Sequence, residues 1–204
     1  MHPTALDEIL HRLHQTQQEL EQELDRLLEE KREQFRYRLR RGRVVFEREI
    51  RRWQQQYKTG SWSYLMKAPL LVILSAPLIY GMLVPLLLLD VSISLYQHIC
   101  FRIYRIPLVR RTDYLVIDRH HLAYLNLIQK ANCVYCGYAN GLIEYAREIT
   151  ARTEQYWCPI KHARRTLDAH HREQRFVDYG DAEEFSERHR LLREDWSDTI
   201  VTKD

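Results

Sequence analysis

The feature that most limits what this chain can fold into is the run APLLVILSAPLIYGMLVPLLLL, residues 68–89, which holds no charged residue and is bounded by Lys67 and Asp90. About 20 apolar residues are enough for a helix to cross a bilayer core, so the run predicts membrane attachment. Before it the chain is charged and helical in pattern; after it come most of the cysteines and histidines. The first residues, MHPTALDEILHRLHQ, lack a basic segment followed by an apolar core. No signal peptide is therefore expected, and the run would act as an internal anchor.

Two geometries fit the region 66–101. Pro69, Pro77 and Pro85 recur at equal intervals, Gly81 sits between the last two, and an internal proline removes a helix hydrogen bond. The chain either crosses once as a kinked helix over 68–89, or turns near Gly81 to Pro85 and returns by Phe101. Both flanks are basic, with Arg51, Arg52, Lys58 and Lys67 before and Arg102, Arg105, Arg110 and Arg111 after. Basic residues concentrate on the cytosolic side, so this symmetry favours the hairpin or re-entrant form. Asp90 lies at or near the membrane, where an acid is either a candidate functional group or an interfacial residue with Arg102 or Arg105 nearby.

Residues 4–58 read as a long charged arm. Thr4 and Asp7 suit a helix start. Leu6, Leu10, Leu13, Gln17, Leu20, Leu24 and Leu27 follow at alternating steps of four and three, a coiled-coil-like seam that predicts a homo-oligomer. Gly42 marks a possible break. Val44 to Tyr57, with Val45, Phe46, Ile50 and Trp53 among arginines, reads as an amphipathic helix on the membrane surface. The overall charge of +3 is small, but the run from Lys31 to Arg52 is strongly basic. Beside a membrane segment such a block meets anionic headgroups; with no base-reading motif present, nucleic acid is not expected as a partner.

Residues 112–194 predict a small helical domain, with 195–204 a loose tail. Tyr114 to Ile117 reads as a short strand or extended run. A helix is expected over Arg119 to Lys130, a turn over NCVYCGYANG at 132–141, and a second helix that stops at Cys158 because Pro159 follows. Lys161 to His171 reads as helical, and Asp181 with Glu184 as the start of a last helix. Glu144, Arg147 and Glu148 read as a solvated face.

Cys133-x2-Cys136 followed by Cys158-x3-His162 is a set of three thiolates and one imidazole, the ligand number of a closed structural zinc site. Zinc is the first choice and iron the alternative. If 141–156 is an unbroken helix, its ends lie about 24 Å apart. Cys136 and Cys158 could not then share an ion. Cys158 and His162 could instead join His120 or His121, with Asp118 or Glu154, leaving Cys133 and Cys136 as a dithiol.

The block DRHHLAYLN, NCVYCGYANG and EQYWCPIKHARR, within about Arg40 to Gly180, resembles a family of bacterial membrane-associated proteins with no assigned activity. CVYCGY and the later Cys158-Pro159 also resemble the two ligand-bearing knuckles of rubredoxin. Lys161 stands where the second knuckle's last cysteine would be.

These readings predict a mainly α protein made of a coiled-coil-like arm, a membrane hairpin or kinked span, and a metal-binding helical domain. The function they suggest is a scaffold or adaptor at the bacterial inner membrane, its C-terminal domain facing the cytoplasm and held by zinc. The alternative is a membrane-associated redox enzyme or electron carrier using iron or the dithiol. The Pro-broken run with Asp90 also admits a transporter subunit.

Overall fold

The chain is described by a computed structural model covering residues 5–40, 43–164, 166–197 and 199, and it is mainly helical. It divides into two compact units, Met1–Gly60 with His121–Asn126, and Ser61–His120 with Leu127–Asp204.

In the first unit, helix α1 spans Ala5–Gln34. Thr4, Gly42 and the side chains of Asp7, Leu6, Leu10 and Leu13 lie outside the described residues. Along the remainder, charges pair at helical spacing, as in Arg26 with Glu23 (2.5 Å) and Arg32 with Glu29 (2.6 Å). Leu20, Leu24, Leu27 and Leu28 are exposed. Strands β1 (Tyr37–Arg40) and β2 (Arg43–Phe46) then pair antiparallel, with Tyr37 opposite Phe46. The amphipathic helix expected from Val44 is thus shorter. Val44, Val45 and Phe46 are β-formers and take the strand, and helix α2 begins only at Arg48 and ends at Gln56. Gln54 is buried there and its side-chain oxygen accepts from the Ala123 backbone N–H (3.2 Å).

In the second unit, a short α3 (Ser61–Met66) leads into α4 (Leu70–Gly81) and α5 (Leu83–Tyr96). A π turn, Gln97–Phe101, and α6, Arg102–Tyr104, continue the same rod, so that Leu70–Tyr104 forms 35 residues of near-continuous helix. The hairpin expected near Gly81 to Pro85 is not formed. Met82 interrupts the ladder but keeps right-handed helical angles (φ −62°, ψ −13°). The prolines account for this. Pro69 precedes α4 and Pro85 falls in the first turn of α5, where an N–H would lack a helical partner anyway. Only Pro77 is internal.

The chain reverses at Arg105, whose φ of 57° is left-handed. It runs back through irregular backbone and short 3₁₀ turns at Arg111–Asp113 and Arg119–His121. Helix α7 then spans Leu127–Trp157, 31 residues without a break. The helix expected over 119–130 and the turn expected over 132–141 are both replaced by it. Pro159 does end it, as the sequence requires. Contacts between α4–α5 and α7 rise together along both, from Tyr80 with Asn132 to Tyr104 with Tyr156, so the helices run side by side in the same direction. The core between them holds Phe101, Ile106, Val109, Leu142, Tyr145 and Ile149.

Lys161 to His171 is not the helix expected. Ile160 and Val177 form a parallel bridge, which draws the intervening chain into a loop. Helix α8 (Ala182–Glu194) starts where Asp181 accepts from the Glu184 N–H (2.8 Å). The described part of the expected loose tail is engaged. The backbone carbonyl of Asp195 accepts from the Gln155 amide (2.7 Å), and the Trp196 ring lies beneath the Arg172 guanidinium. The apolar run and the C-terminal region are therefore one compact unit.

Candidate membrane face and the polar clusters behind it

The Leu70–Tyr104 rod has inverted polarity. Leu71 and Leu78 are each 79% exposed, and Leu88, Val91, Leu95 and Ile99 continue outward at steps of three and four. Two of its polar members turn inward, Asp90 (7% exposed) and Gln97 (2%), while Ser92, His98 and Arg102 stay at the surface. A helix of a water-soluble domain does the reverse. Among the described residues this rod is the one long and apolar enough to cross a membrane.

Asp90 is fully partnered. Its two carboxylate oxygens accept from the two terminal nitrogens of Arg111 (2.6 and 2.7 Å), and the Tyr138 hydroxyl donates to it at 2.8 Å. This fork geometry is the strong form of an ion pair. The partner is Arg111 of the returning chain; Arg102 and Arg105 lie more than two turns further along the rod, which does not end until Tyr104. Burial, then the bond to Asp90, pushes the Tyr138 phenol up, so it remains a donor. One helical stretch further on, Gln97 acts as a backbone clamp. Its oxygen accepts from Val109 N–H (3.1 Å), and its amide donates to Val109 C=O (3.4 Å) and to the Tyr145 hydroxyl.

The second cluster centres on Glu148, expected on a solvated face but buried. Arg152 Nε and an Arg172 guanidinium nitrogen both donate to the same carboxylate oxygen, each at 2.7 Å. Arg152 also donates to Pro107 C=O (2.7 Å) and Arg172 to the Gln155 oxygen (3.0 Å). Burial pushes the Glu148 carboxyl up, but the guanidinium donors from Arg172 and Arg152 override it and hold the group below the usual carboxylate range. A carboxylate so committed is no proton donor near neutral pH. The cluster ties the returning chain and the His171–Arg175 3₁₀ turn to α7.

The CxxC segment lies inside α7, where its small residues admit a second backbone. A Cβ at Gly141 would stand 2.6 Å from the Tyr114 carbonyl oxygen and 2.9 Å from Leu115 Cα. One at Gly137 would stand 3.3 Å from the Val116 carbonyl oxygen. NCVYCGYANG is thus a groove for residues 114–117, not a turn, and the rubredoxin-like knuckle is not formed.

This helix decides where the expected metal ligands fall. Cys133 and Cys136 lie in the first half of α7 and Cys158 just past its end, over about 30 Å away at about 1.5 Å per residue. His162 lies in the exposed loop beyond. The two pairs are not brought together within one chain. The second arrangement is not assembled either, because the chain leading to Asp118 packs at the Gly137 level, far from Cys158. Glu154 instead meets His170 (2.8 Å). Among the described residues no three His, Cys, Asp or Glu side chains are grouped to hold a metal ion, and all four cysteines are free thiols. The donor set does not fit zinc or iron in a single chain.

No family model, curated protein or solved structure matches this chain. Its function is therefore read from its own geometry. Sequence marks Arg111 only as part of a basic flank and Glu148 only as part of a solvated face, and gives no sign of the partners Tyr138 and Gln97 find. One signal was present: Glu148, Arg152 and Gln155 share helical spacing with Leu142, Tyr145 and Ile149, which places them on the buried stripe rather than the wet one.

Proposed function

We propose that this protein is a membrane-attached scaffold, held to the bilayer through the outward face of Leu70–Tyr104 and self-associating through α1. The observation that carries the reading is the inverted polarity of the rod, with leucines outward and Asp90 and Gln97 inward. A polar group within an apolar span turns toward protein and pairs there. The exposed seam of Leu20, Leu24 and Leu27 supports self-association, since such a stripe is buried by a partner helix.

The rod lies in the plane of the membrane rather than across it. At about 52 Å it is longer than the roughly 30 Å hydrocarbon core. Irregular chain carrying Arg110, Arg111 and Asp113 follows its inner side, and such backbone does not face lipid. One side therefore meets lipid and the other meets protein, as in interfacial helices. The free thiols and the basic residues at both ends, Lys67 before and Arg102 and Arg105 after, fit the cytoplasmic side of a bacterial inner membrane.

The protein should sediment with membranes, resist alkaline carbonate and be released by detergent. Leu78→Glu with Leu88→Glu, two outward changes, should move it to the soluble fraction. Cys136 and Cys158 are exposed. A membrane-impermeant maleimide should spare both in intact spheroplasts and label both after permeabilisation. A wild-type protein found in the soluble fraction would overturn the reading.

A further inference from the structure

The outward apolar stripe ends at a basic cleft. Ile103, 69% exposed, is its last member, one turn beyond Ile99, and it also lines a cleft of about 670 Å³. Tyr104, Arg105, Tyr156, Arg190, Arg193 and Glu194 line the same cleft. Three guanidinium groups thus surround it against one carboxylate. Among the described residues none of the three is in an ion pair. Arg193 stands over the Tyr156 ring at 4.1 Å and the Trp157 ring at 5.8 Å, so its position is set by the aromatic faces. Arg105 is itself the left-handed residue at which the rod ends.

Like charges gathered without a counter-ion repel, and the partner that relieves them is an anion with several acceptor oxygens. The excess of positive charge favours an anion, and a phosphodiester offers one negative charge spread over two unesterified oxygens. Position adds the rest. The cleft opens at the end of the stripe, and Tyr104, Tyr156 and the exposed Trp157 gather there, residue types that favour the headgroup level of a bilayer.

We infer that the cleft bounded by Arg105, Arg190 and Arg193 is a binding site for the phosphate of an anionic phospholipid, whose acyl chains lie along Ile99 and Ile103. This rests on the membrane reading above. It makes attachment selective, because the leucines recognise any bilayer and the cleft recognises charge at one fixed place.

The test is flotation of full-length protein with vesicles of phosphatidylcholine alone or mixed with phosphatidylglycerol. Wild type should prefer the mixed vesicles. Arg105→Gln with Arg190→Gln, leaving Arg193 on its aromatic support, should bind neutral vesicles as wild type does. The pair should lose the preference by about five-fold per arginine, or about 25-fold together. Arg164→Gln, exposed but outside the cleft, should keep it. An equal preference in wild type and the double variant, or an equal loss with Arg164→Gln, would overturn the site and leave membrane attachment standing. Wild type that floats with neither vesicle would overturn membrane attachment, and the site with it. A thermal shift by inorganic phosphate in detergent, lost in the double variant and without any vesicle preference, would assign the cleft to free phosphate instead.

Discussion

Helices α1 and α7 are nearly the same length, 30 and 31 residues, and are stabilised in different ways. The described part of α1 is held by its own surface. Its charges pair at i,i+3 and i,i+4 in water, and its leucines stay exposed. Such pairs contribute little, so a helix of this kind waits for a partner to bury its seam. α7 also pairs with itself, at Arg147–Glu144 and Arg152–Glu148, but the second pair is buried and shared with Arg172. It buries Glu148 and Arg152, holds Tyr145 against Gln97 and receives a second backbone at Gly137 and Gly141. One helix is specified by local pattern, the other by what packs on it.

The contrast breaks most sharply at Glu148. Glu148→Ala leaves two buried guanidiniums facing each other and should cost about 3–5 kcal/mol in chemical unfolding in detergent. The same site carries a pH dependence. Its folded pKa lies below the unfolded value of about 4.3, so its stabilising contribution is complete above that value and is lost as pH falls through the lowered one. Wild type should lose stability on acidification, and Glu148→Gln should lose less of it over that range.

Gly141→Ala comes next. Its methyl group meets backbone, which cannot rotate away, and overpacking of this kind costs about 1–3 kcal/mol. Gly137→Ala, with more room, should cost less. In a free helix both changes would raise propensity, so a stabilised Gly141→Ala protein would mean that residues 114–117 do not lie in the groove. Leu24→Glu in α1 should shift the protein toward monomer in sedimentation while leaving the unfolding midpoint of the second unit unchanged. Smallest of all is Glu23→Gln, an exposed pair member, for which no measurable change in midpoint is expected.

The same contrast explains what could be read in advance. The leucine steps of α1 and the uncharged run 68–89 are patterns of short stretches, and both give helix, although the run continues to Tyr104 instead of turning back near Gly81 to Pro85. Local pattern predicts two helices and a turn in place of α7 because Asn132, Gly137, Asn140 and Gly141 are turn formers by local preference. Locally, a glycine that opens a turn and a glycine that admits a neighbouring chain are indistinguishable; only Tyr114 and Leu115, brought there by the reversal at Arg105, separate them. The grouping of the four expected ligands within one chain went with the turn. Ligand spacing has meaning only when the chain between the pairs folds back, and here it is a straight rod.

From its sequence alone this chain was committed to being mainly helical, to an amphipathic N-terminal helix and to an apolar segment that water does not favour, because periodicity and the cost of wetting leucine are properties of short stretches. The tertiary structure decided that the apolar segment is one rod with a protein side and an open side. It also decided that Asp90 pairs with Arg111, that Glu148 is buried, and that the cysteine pair and Cys158–His162 stay apart. Each of those depends on where a distant segment returns, and no residue's own preference carries that information.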